Sequence, residues 1–328
     1  MQKGALYLRR TGIVFVAIVL TIIVGSISLW NWPGIVAKSI SQPLEYTPVP
    51  ISGLEMKCFS SDAPVYWSYC INRIPNSKSD DLIYYFHGRR GNAKWWNDDT
   101  YYTGDLYRQW AKTKSEPPTV ISISFGSLWL LEKEQLLEYF QSELVPQIES
   151  KLSLKIDKRL VVGESMGGVN AILAWLNTSS LFDGAASLCA PLPTVSPEAS
   201  FNEIAEYMHN SNTSWERGLM MLFIGRYLYP NKESWNQNSP LKVAHSKDLS
   251  SAGPLYLSCG KKDDWGCMAG SKQLIEHAES NGAHILWYPM EGGHCDIDSM
   301  SLASFLGDSD RVHNKNSQQD ARELTPLL

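Results

Sequence analysis

A serine set between glycines, in the stretch "VVGESMGG" at residues 161–168, constrains the fold more than any other feature of the chain. The β-branched run before it is typical of a buried strand, and a helical pattern continues from Gly167 to Leu176. A sharp strand-to-helix turn requires very small neighbours, because the strand and the helix pass close to the turn residue. The pattern therefore predicts a strained turn that lifts the Ser165 hydroxyl above the sheet edge, near a helix N-terminus that favours negative charge.

Apolar runs that are too continuous for a sheet with one wet face alternate along the chain with helical patterns. This alternation predicts an α/β fold, with a mostly parallel sheet and helices on both faces. A helix is expected over 131–152, where Pro146 should kink or divide it. Two more are expected around Phe201–His209 and Trp215–Tyr229, in a helical insertion at 191–253. The predicted strands are "VYWSYCINRI", "DLIYYFHG", "TVISISFG", "RLVVG", "DGAASLCAP", "PLYLSCG" and "HILWYPM".

The N-terminal segment is a candidate membrane span. A charge-free run extends from Thr11 to Ala37 and is long enough to cross a bilayer once. The basic residues before it favour a cytoplasmic N-terminus, so we expect residues 1–10 in the cytoplasm and 11–32 as a transmembrane signal anchor. The remainder would then be extracytoplasmic. A cleaved signal peptide stays open as the alternative, because residues 26–28 form a small-x-small site, and it would leave a secreted or periplasmic protein.

The remaining organisation follows from composition. Residues 33–50 are rich in proline without a clear period and are expected to be a linker, and the polar tail at 308–328 is expected to be disordered. The folded domain is expected at 51–307. Its lysines and arginines are scattered and the net charge is −5, which argues against nucleic acid as a partner. The oligomeric state stays open.

A serine becomes a strong nucleophile only when a base takes its proton, and that base needs an orienting acid. His294 lies in the loop "EGGHCD" after the last predicted strand, where an imidazole can reach sideways. Asp263 and Asp264 follow the strand before it, in "CGKKDDWG". The order Ser, Asp, His is the one that a known hydrolase architecture requires. These residues predict a catalytic triad, with the choice between the two aspartates left open.

The turn "FHGRRGN" follows a predicted strand and is rich in glycine. The backbone amide of Arg89, or of a neighbour in this turn, and the amide of Met166 are candidates for an oxyanion hole. His87 is expected to be a structural hydrogen-bonding residue of the turn. Trp95 and Trp96 are candidates for binding substrate, with packing in the core or at the surface as the other interpretation. No metal or organic cofactor is implied.

At these residues the chain resembles the putative-esterase branch of the α/β-hydrolase superfamily, which includes S-formylglutathione hydrolases, feruloyl esterases, enterochelin esterases and mycolyltransferases. The likeness spans 78–306 and is greatest in "SELVPQIESKLSLKIDKRLVVGESMGGVNAILAW". It implies an α/β-hydrolase domain with Ser165 as nucleophile, His294 as base and an acid three residues after the strand-ending glycine, which favours Asp263.

The resemblance implies a serine hydrolase that cleaves a carboxylic ester of a small molecule or a lipid through an acyl-enzyme. Transfer of the acyl group to a sugar or lipid hydroxyl is the close alternative. A catalytically inactive binding protein on the same fold is the alternative of another class, although all three triad candidates are present. The insertion at 191–253 matches no one subfamily, so the substrate stays open.

Two disulfides are predicted among the six cysteines, because an exported protein enters an oxidising compartment in which disulfides form. Cys58 and Cys70 flank a turn candidate and could face each other across a hairpin. A second bridge between Cys267 and Cys295 would clamp the loops that carry the acid and the base. Six cysteines allow fifteen full pairings, and the sequence does not choose among them.

Overall fold

One mixed sheet organises the part of the chain that the computed structural model describes, which is residues 34–62, 65–133, 135–178 and 180–307. The strands run in the spatial order β1-β2-β4-β3-β5-β6-β7-β8. Neighbouring strands from β4 to β8 are parallel, and only the pairs β1–β2 and β2–β4 are antiparallel. The strands are β1 (Glu55–Ser61), β2 (Trp67–Arg73), β3 (Leu82–Phe86), β4 (Thr119–Ser124), β5 (Arg159–Glu164), β6 (Gly184–Leu188), β7 (Leu255–Gly260) and β8 (Ile285–Met290).

Helices cover both faces of this sheet, as the sequence predicts. They are α1 (Tyr102–Thr113), α2 (Leu136–Tyr139), a π-helical segment (Phe140–Leu144), α3 (Val145–Glu149), α4 (Met166–Asn177), α5 (Phe201–Asn210), α6 (Trp215–Leu228), α7 (Lys232–Asn238), α8 (Pro240–Ser246), α9 (Cys267–Ser280) and α10 (Ser299–Gly307). The expected α/β-hydrolase architecture is confirmed, including the helical insertion between β6 and β7.

Each central strand contributes to two separate cores, because successive side chains point to opposite faces. On β3, Tyr84 and Phe86 pack with α4 and the helices from α2 to α3. Ile83 and Tyr85 pack on the other side, with α1 and α10. All five residues of β3 are buried, which explains why its sequence shows no polar alternation.

The helix predicted over 131–152 is divided in the region of Pro146, as expected. The chain passes from α2 through the π-helical segment into α3, where Pro146 occupies the first turn. Proline has no N–H to donate and its ring disfavours the preceding turn of a regular α-helix. The wider π turn before it accommodates this break.

Side chains cap the N-termini of several helices in the insertion. Ser200 and Glu203 form a reciprocal capping box at the start of α5, and Ser214 caps α6. These two helices were predicted. The short helices α7 and α8 were missed, although Asn231 caps the first and Pro240 begins the second. The strand β1 was missed because it is mostly exposed and lacks an apolar face.

The hairpin disulfide is present as predicted. Cys58 on β1 lies directly opposite Cys70 on β2, and the two are bonded. The bridge therefore closes the antiparallel edge of the sheet, away from the serine turn.

The transmembrane segment predicted at 11–32 and the tail predicted at 308–328 lie outside the described residues. Within the described ranges, no helix has both the length and the apolar character needed to cross a bilayer. The first described residues, 34–39, are helical. The rest of the predicted linker has no regular structure, but Leu44 donates its N–H to the carbonyl of Arg90, so it contacts the domain.

Candidate active site

The glycines around Ser165 are explained by the close approach of three backbone segments. Ser165 lies between β5 and α4 with φ +51° and ψ −116°, a strained conformation for a residue with a side chain. A methyl group at Gly163 would overlap the carbonyl oxygen of Gly167. One at Gly167 would overlap the carbonyl oxygen of Phe86, at the end of β3. Only glycine fits both positions, so the predicted strained turn is present.

The structure brings Ser165, His294 and Asp263 together from three separate loops. The Nε2 atom of His294 lies 3.0 Å from Ser165 Oγ, and its Nδ1 atom lies 2.6 Å from Asp263 Oδ2. An ionised carboxylate can only accept hydrogen bonds, so Nδ1–H donates to Asp263 and Nε2 accepts from the serine hydroxyl. This tautomer is the one in which the imidazole can take the serine proton.

Asp263 is held from both sides of its carboxylate. Oδ1 accepts from the N–H groups of Trp265 at 2.8 Å and Cys267 at 3.2 Å, while Oδ2 faces His294. Burial on its own raises the pKa of this carboxyl, but the hydrogen bonds and the adjacent imidazole outweigh it, and the net pKa is lowered. Asp264 points elsewhere, with Oδ2 3.7 Å from Nε of Arg217.

The second predicted disulfide is wrong. Cys295, next to His294, is bonded to Cys189 at the end of β6, and Cys267 is a free, buried thiol. The Cys267 thiol instead donates to the carbonyl of Cys189 at 3.1 Å and lies 3.8 Å from His294 Nδ1. Cys267 is the first residue of α9, and its amide donates to Asp263. This contact holds the residue next to the imidazole. Burial raises the pKa of this thiol well above its ordinary value.

The predicted oxyanion donors lie beside Ser165. Arg89 and Met166 line the same cleft as the serine. Among the described residues, neither of their backbone N–H groups has a hydrogen-bond acceptor. The N–H of Gly88 is committed to Glu164, at 3.4 Å. Of the amides at 88 and 89 in this turn, only that of Arg89 is therefore available to a ligand.

Glu164 is a buried site residue that the sequence reasoning missed. Its carboxylate accepts hydrogen bonds from the hydroxyls of Tyr85 at 3.0 Å and Tyr101 at 2.8 Å, and from the N–H of Gly88. Burial raises the pKa of Glu164, and the hydrogen bonds oppose that rise. The signal was available, because a carboxylate that ends a buried strand must find donors inside the protein. Glu164 ties the turn at Gly88 to the serine turn.

His87 has the structural role expected of it. Its Nδ1–H donates to the carbonyl of Gly88 at 2.7 Å, and its Nε2 accepts from the hydroxyl of Ser124 at 2.8 Å. The imidazole is fully buried, and this burial lowers its pKa from 6.5 to about 4. His87 is therefore neutral at physiological pH and holds the turn that precedes Arg89.

The two tryptophans predicted to bind substrate lie outside the cleft that contains Ser165. Trp96 is fully buried, packs 4.9 Å from the ring of Tyr85 and donates its indole N–H to Tyr107. The prediction for Trp96 is wrong, because a side chain with no exposed surface belongs to the core. Trp95 is half-buried and packs against Tyr46 and Tyr101.

Two groups of potential metal ligands occur among the described residues, and neither offers a free donor set. The first comprises Cys189, His294 and Cys295, but its two sulfurs are bonded to each other. The second comprises Cys259, Asp263 and Cys267. Both oxygens of Asp263 are already engaged, as described above. The site residues therefore do not fit a resident metal.

A cleft that is partly open to solvent lies over Ser165. Its floor is formed by the loop after β4, by the start of α4 and by the loop after β6. Its roof is the insertion, chiefly α5 and α6. Almost all of its lining is apolar, and Arg89 and Trp265 are among its lining residues together with Ser165.

Residues 131–293 match the family described as "Putative esterase". This segment contains the serine turn, the aspartate loop and the insertion, and ends one residue before His294. A search of the curated proteins finds no match. The chain therefore contains a putative-esterase domain on an α/β-hydrolase fold, and this match supports a carboxylic ester hydrolase.

Solved structures with the same fold include a ferulic acid esterase, which is 17% identical with a TM-score of 0.55 and covers 79% of this chain and 96% of its own. Brefeldin A esterase, a bacterial homologue of human hormone-sensitive lipase, is 14% identical with a TM-score of 0.59, and the match covers 86% of this chain and 85% of that esterase. A thermostable esterase from Pseudomonas putida ECU1011 is 15% identical with a TM-score of 0.56, and the match covers 84% of this chain and 86% of that esterase. At these identities the likeness shows the shared fold.

The lowered pKa of His87 predicts a pH-dependent stability. Between pH 6.5 and about 4 the unfolded chain binds a proton at His87 that the folded chain does not. The free energy of unfolding is therefore highest, as far as His87 is concerned, above pH 6.5. It falls by up to about 3 kcal/mol as the pH drops through this window. Urea unfolding of the wild type and His87→Gln at pH 7, 5.5 and 4.5 checks this. A difference between the two proteins that stays constant with pH would contradict it.

The two disulfides offer a matched comparison. In the chain-entropy model, the loop between Cys189 and Cys295, separated by 106 residues, is worth about 5 kcal/mol, and that between Cys58 and Cys70, separated by 12, about 3 kcal/mol. We expect the double alanine variant of either pair to lower the unfolding free energy. Only the Cys189/Cys295 variant should also lower kcat, by about tenfold or more, because it frees the His294 loop. Equal kcat values for both double variants would refute this role.

Proposed function

We propose that the protein is a serine hydrolase that cleaves a carboxylic ester through an acyl-enzyme intermediate, with Ser165, His294 and Asp263 as its triad. The observation that carries the proposal is the continuous hydrogen-bonded chain from the strained serine through the imidazole to the buried aspartate. The N–H groups of Arg89 and Met166 support it, because the described residues offer them no acceptor and they line the same cleft as the serine.

In the first step, the Ser165 oxygen attacks the carbonyl carbon of the ester while its proton passes to His294 Nε2. The carbonyl oxygen gains the negative charge, which the amides of Arg89 and Met166 stabilise. The bond to the alcohol oxygen then breaks, and His294 gives that oxygen the proton. Asp263 accepts from Nδ1–H throughout and stabilises the imidazolium. The alcohol leaves, and the acyl group stays on the serine.

In the second step, water takes the place of the alcohol beside His294. The imidazole removes a proton from the water as its oxygen attacks the acyl carbon, and the same two amides hold the new oxyanion. The bond to Ser165 breaks, the serine oxygen recovers the proton, and the carboxylic acid leaves.

The triad predicts a graded loss of activity. Ser165→Ala should lower kcat on a short activated ester by on the order of 10⁶, and Asp263→Asn by on the order of 10⁴, because the imidazole then takes the wrong tautomer. Asp264→Asn is the matched control and should lose far less, since Asp264 faces Arg217. Initial rates with p-nitrophenyl acetate and labelling by a fluorophosphonate measure these effects. Turnover by Ser165→Ala equal to the wild type would refute the mechanism.

We also propose that the chain is tethered to a membrane by residues 11–32, with its catalytic domain outside the cytoplasm. The proposal rests on the charge-free run and the basic residues before it. The two disulfides support it, because such bonds persist in oxidising compartments.

The tether predicts an orientation that a fusion can test. A reporter enzyme that is active only outside the cytoplasm, joined after Lys38, should be active, and the protein should sediment with membranes. Release of a shortened chain into the soluble fraction would instead establish signal cleavage. An inactive reporter in the cytoplasm would refute export.

A further inference from the structure

The roof of the cleft is built to hold an apolar chain. The face of α6 towards the cleft carries Met221, Leu222 and Ile224, and the loop after β6 adds Leu192 and Val195. These side chains line the same cleft as Ser165. An ester whose carbonyl lies at Ser165 therefore has one half that can enter an apolar space, and burial of that half contributes to binding in proportion to its length.

The other half of the ester must lie beside His294, because this residue gives its proton to the departing alcohol. The indole of Trp265 is a neighbour of the imidazole, with ring centroids 5.4 Å apart, and it also lines the cleft. The guanidinium of Arg217 lies over the same indole at 4.6 Å, and that of Arg89 at 5.7 Å. The alcohol half would thus lie near the indole of Trp265, on which the guanidinium groups of Arg217 and Arg89 pack.

Among the described residues, neither arginine has a carboxylate partner closer than 3.7 Å. Within the described ranges, no carboxylate lies within ion-pair distance of Arg89, whose guanidinium donates to the carbonyl of Ile40. Within the described part of the chain, Arg217 forms two ion pairs, at 3.7 Å to Asp264 and 4.0 Å to Glu216. Burial first, and then the charges of Arg90 and Arg217, lower the pKa of Arg89. A guanidinium remains charged at physiological pH nonetheless.

We propose that the substrate is an amphiphilic ester, in which an aliphatic acyl chain occupies the apolar cleft and the alcohol half bears an anionic oxyacid group that Arg217 and Arg89 bind. The proposal rests on the proposed function, since it assigns the two halves of the ester from the positions of Ser165 and His294. A phosphate and a carboxylate share the chemistry that the arginines recognise, and the substrates below distinguish them.

The acyl half is tested with p-nitrophenyl acetate, butyrate and octanoate. In the wild type, kcat/KM should rise with chain length by up to about fourfold for each methylene that becomes buried. Leu222→Trp fills the cleft and should lower the octanoate to acetate ratio by at least tenfold. Leu219→Trp is the matched control, because Leu219 is an exposed residue of the same helix and does not line the cleft. Leu222→Ala provides a variant that does not crowd the roof and should lower the same ratio by a smaller factor.

The alcohol half is tested with octanoyl esters of glycerol, glycerol 3-phosphate and glyceric acid, at concentrations where each is monomeric. An anionic ester should be cleaved with about tenfold higher kcat/KM than the neutral one, and this preference should fall as salt is added. Arg217→Gln and Arg89→Gln should each reduce the preference about fivefold or more. Arg108→Gln, which removes an exposed charge on α1, should leave it unchanged. The better of the two anionic esters identifies the group.

Failure of this inference can be told apart from failure of the proposed function. If the wild type cleaves p-nitrophenyl acetate and Ser165→Ala does not, the hydrolase mechanism stands. With that result, either a flat dependence on chain length or equal rates on neutral and anionic esters would overturn the amphiphilic substrate. If Ser165→Ala and the wild type hydrolyse the acetate equally, the proposed function itself fails.

Discussion

The close backbone contact at the serine turn is the constraint on which the rest of the site depends. The start of α4 presses against the end of β3 because Gly163 and Gly167 have no side chains to keep them apart. The same contact brings the turn after β3 next to Ser165, so that this serine and the candidate amide donors are positioned together. The strain at Ser165 is held by its surroundings, including the hydrogen bond from its N–H to the carbonyl of Leu188.

Parallel strand order explains how distant residues meet around this turn. The strands β5, β6, β7 and β8 are neighbours, and their carboxyl ends lie at one edge of the sheet. Ser165, Cys189, Asp263 and His294 each follow one of these ends. The bond from Cys189 to Cys295 spans the edge and fixes the histidine loop. The amide of Cys267 donates to Asp263, and its thiol lies 3.8 Å from Nδ1 of His294.

The proposed catalytic groups and the proposed substrate-binding groups come from different parts of the chain. The sheet edge supplies the groups of the proposed triad, and the loops beside them are held by buried partners such as Glu164 and His87. The insertion between β6 and β7 supplies the apolar roof and Arg217. Loops and insertions at this edge can vary without disturbing the sheet, which is why the shared fold of the solved esterases does not identify a substrate.

Local patterns in the sequence were sufficient for much of this description. Short apolar runs predicted the strands β2 to β8, and small residues around a serine predicted the turn at Ser165. The hairpin disulfide followed from two cysteines that flank a turn, and the chain order of the triad candidates followed from their positions after predicted strands. The short or exposed elements β1, α7 and α8 could not be recognised, because they carry too few buried residues to produce a periodic pattern. The helix α1 was also missed from the sequence, although six of its residues are buried.

The tertiary structure alone decided the contacts between loops. Asp263 and Asp264 are adjacent and chemically alike, and only the turn after β7 directs the first to His294 and the second to Arg217. Cys295 bonds to Cys189 because their loops meet at the sheet edge, at a separation of 106 residues that no local pattern encodes. Trp96 likewise lies in the core because of a packing contact with Tyr85 on β3, which the local sequence does not show. Sequence patterns report which face of an element is apolar, whereas the partner of each side chain depends on how the elements pack.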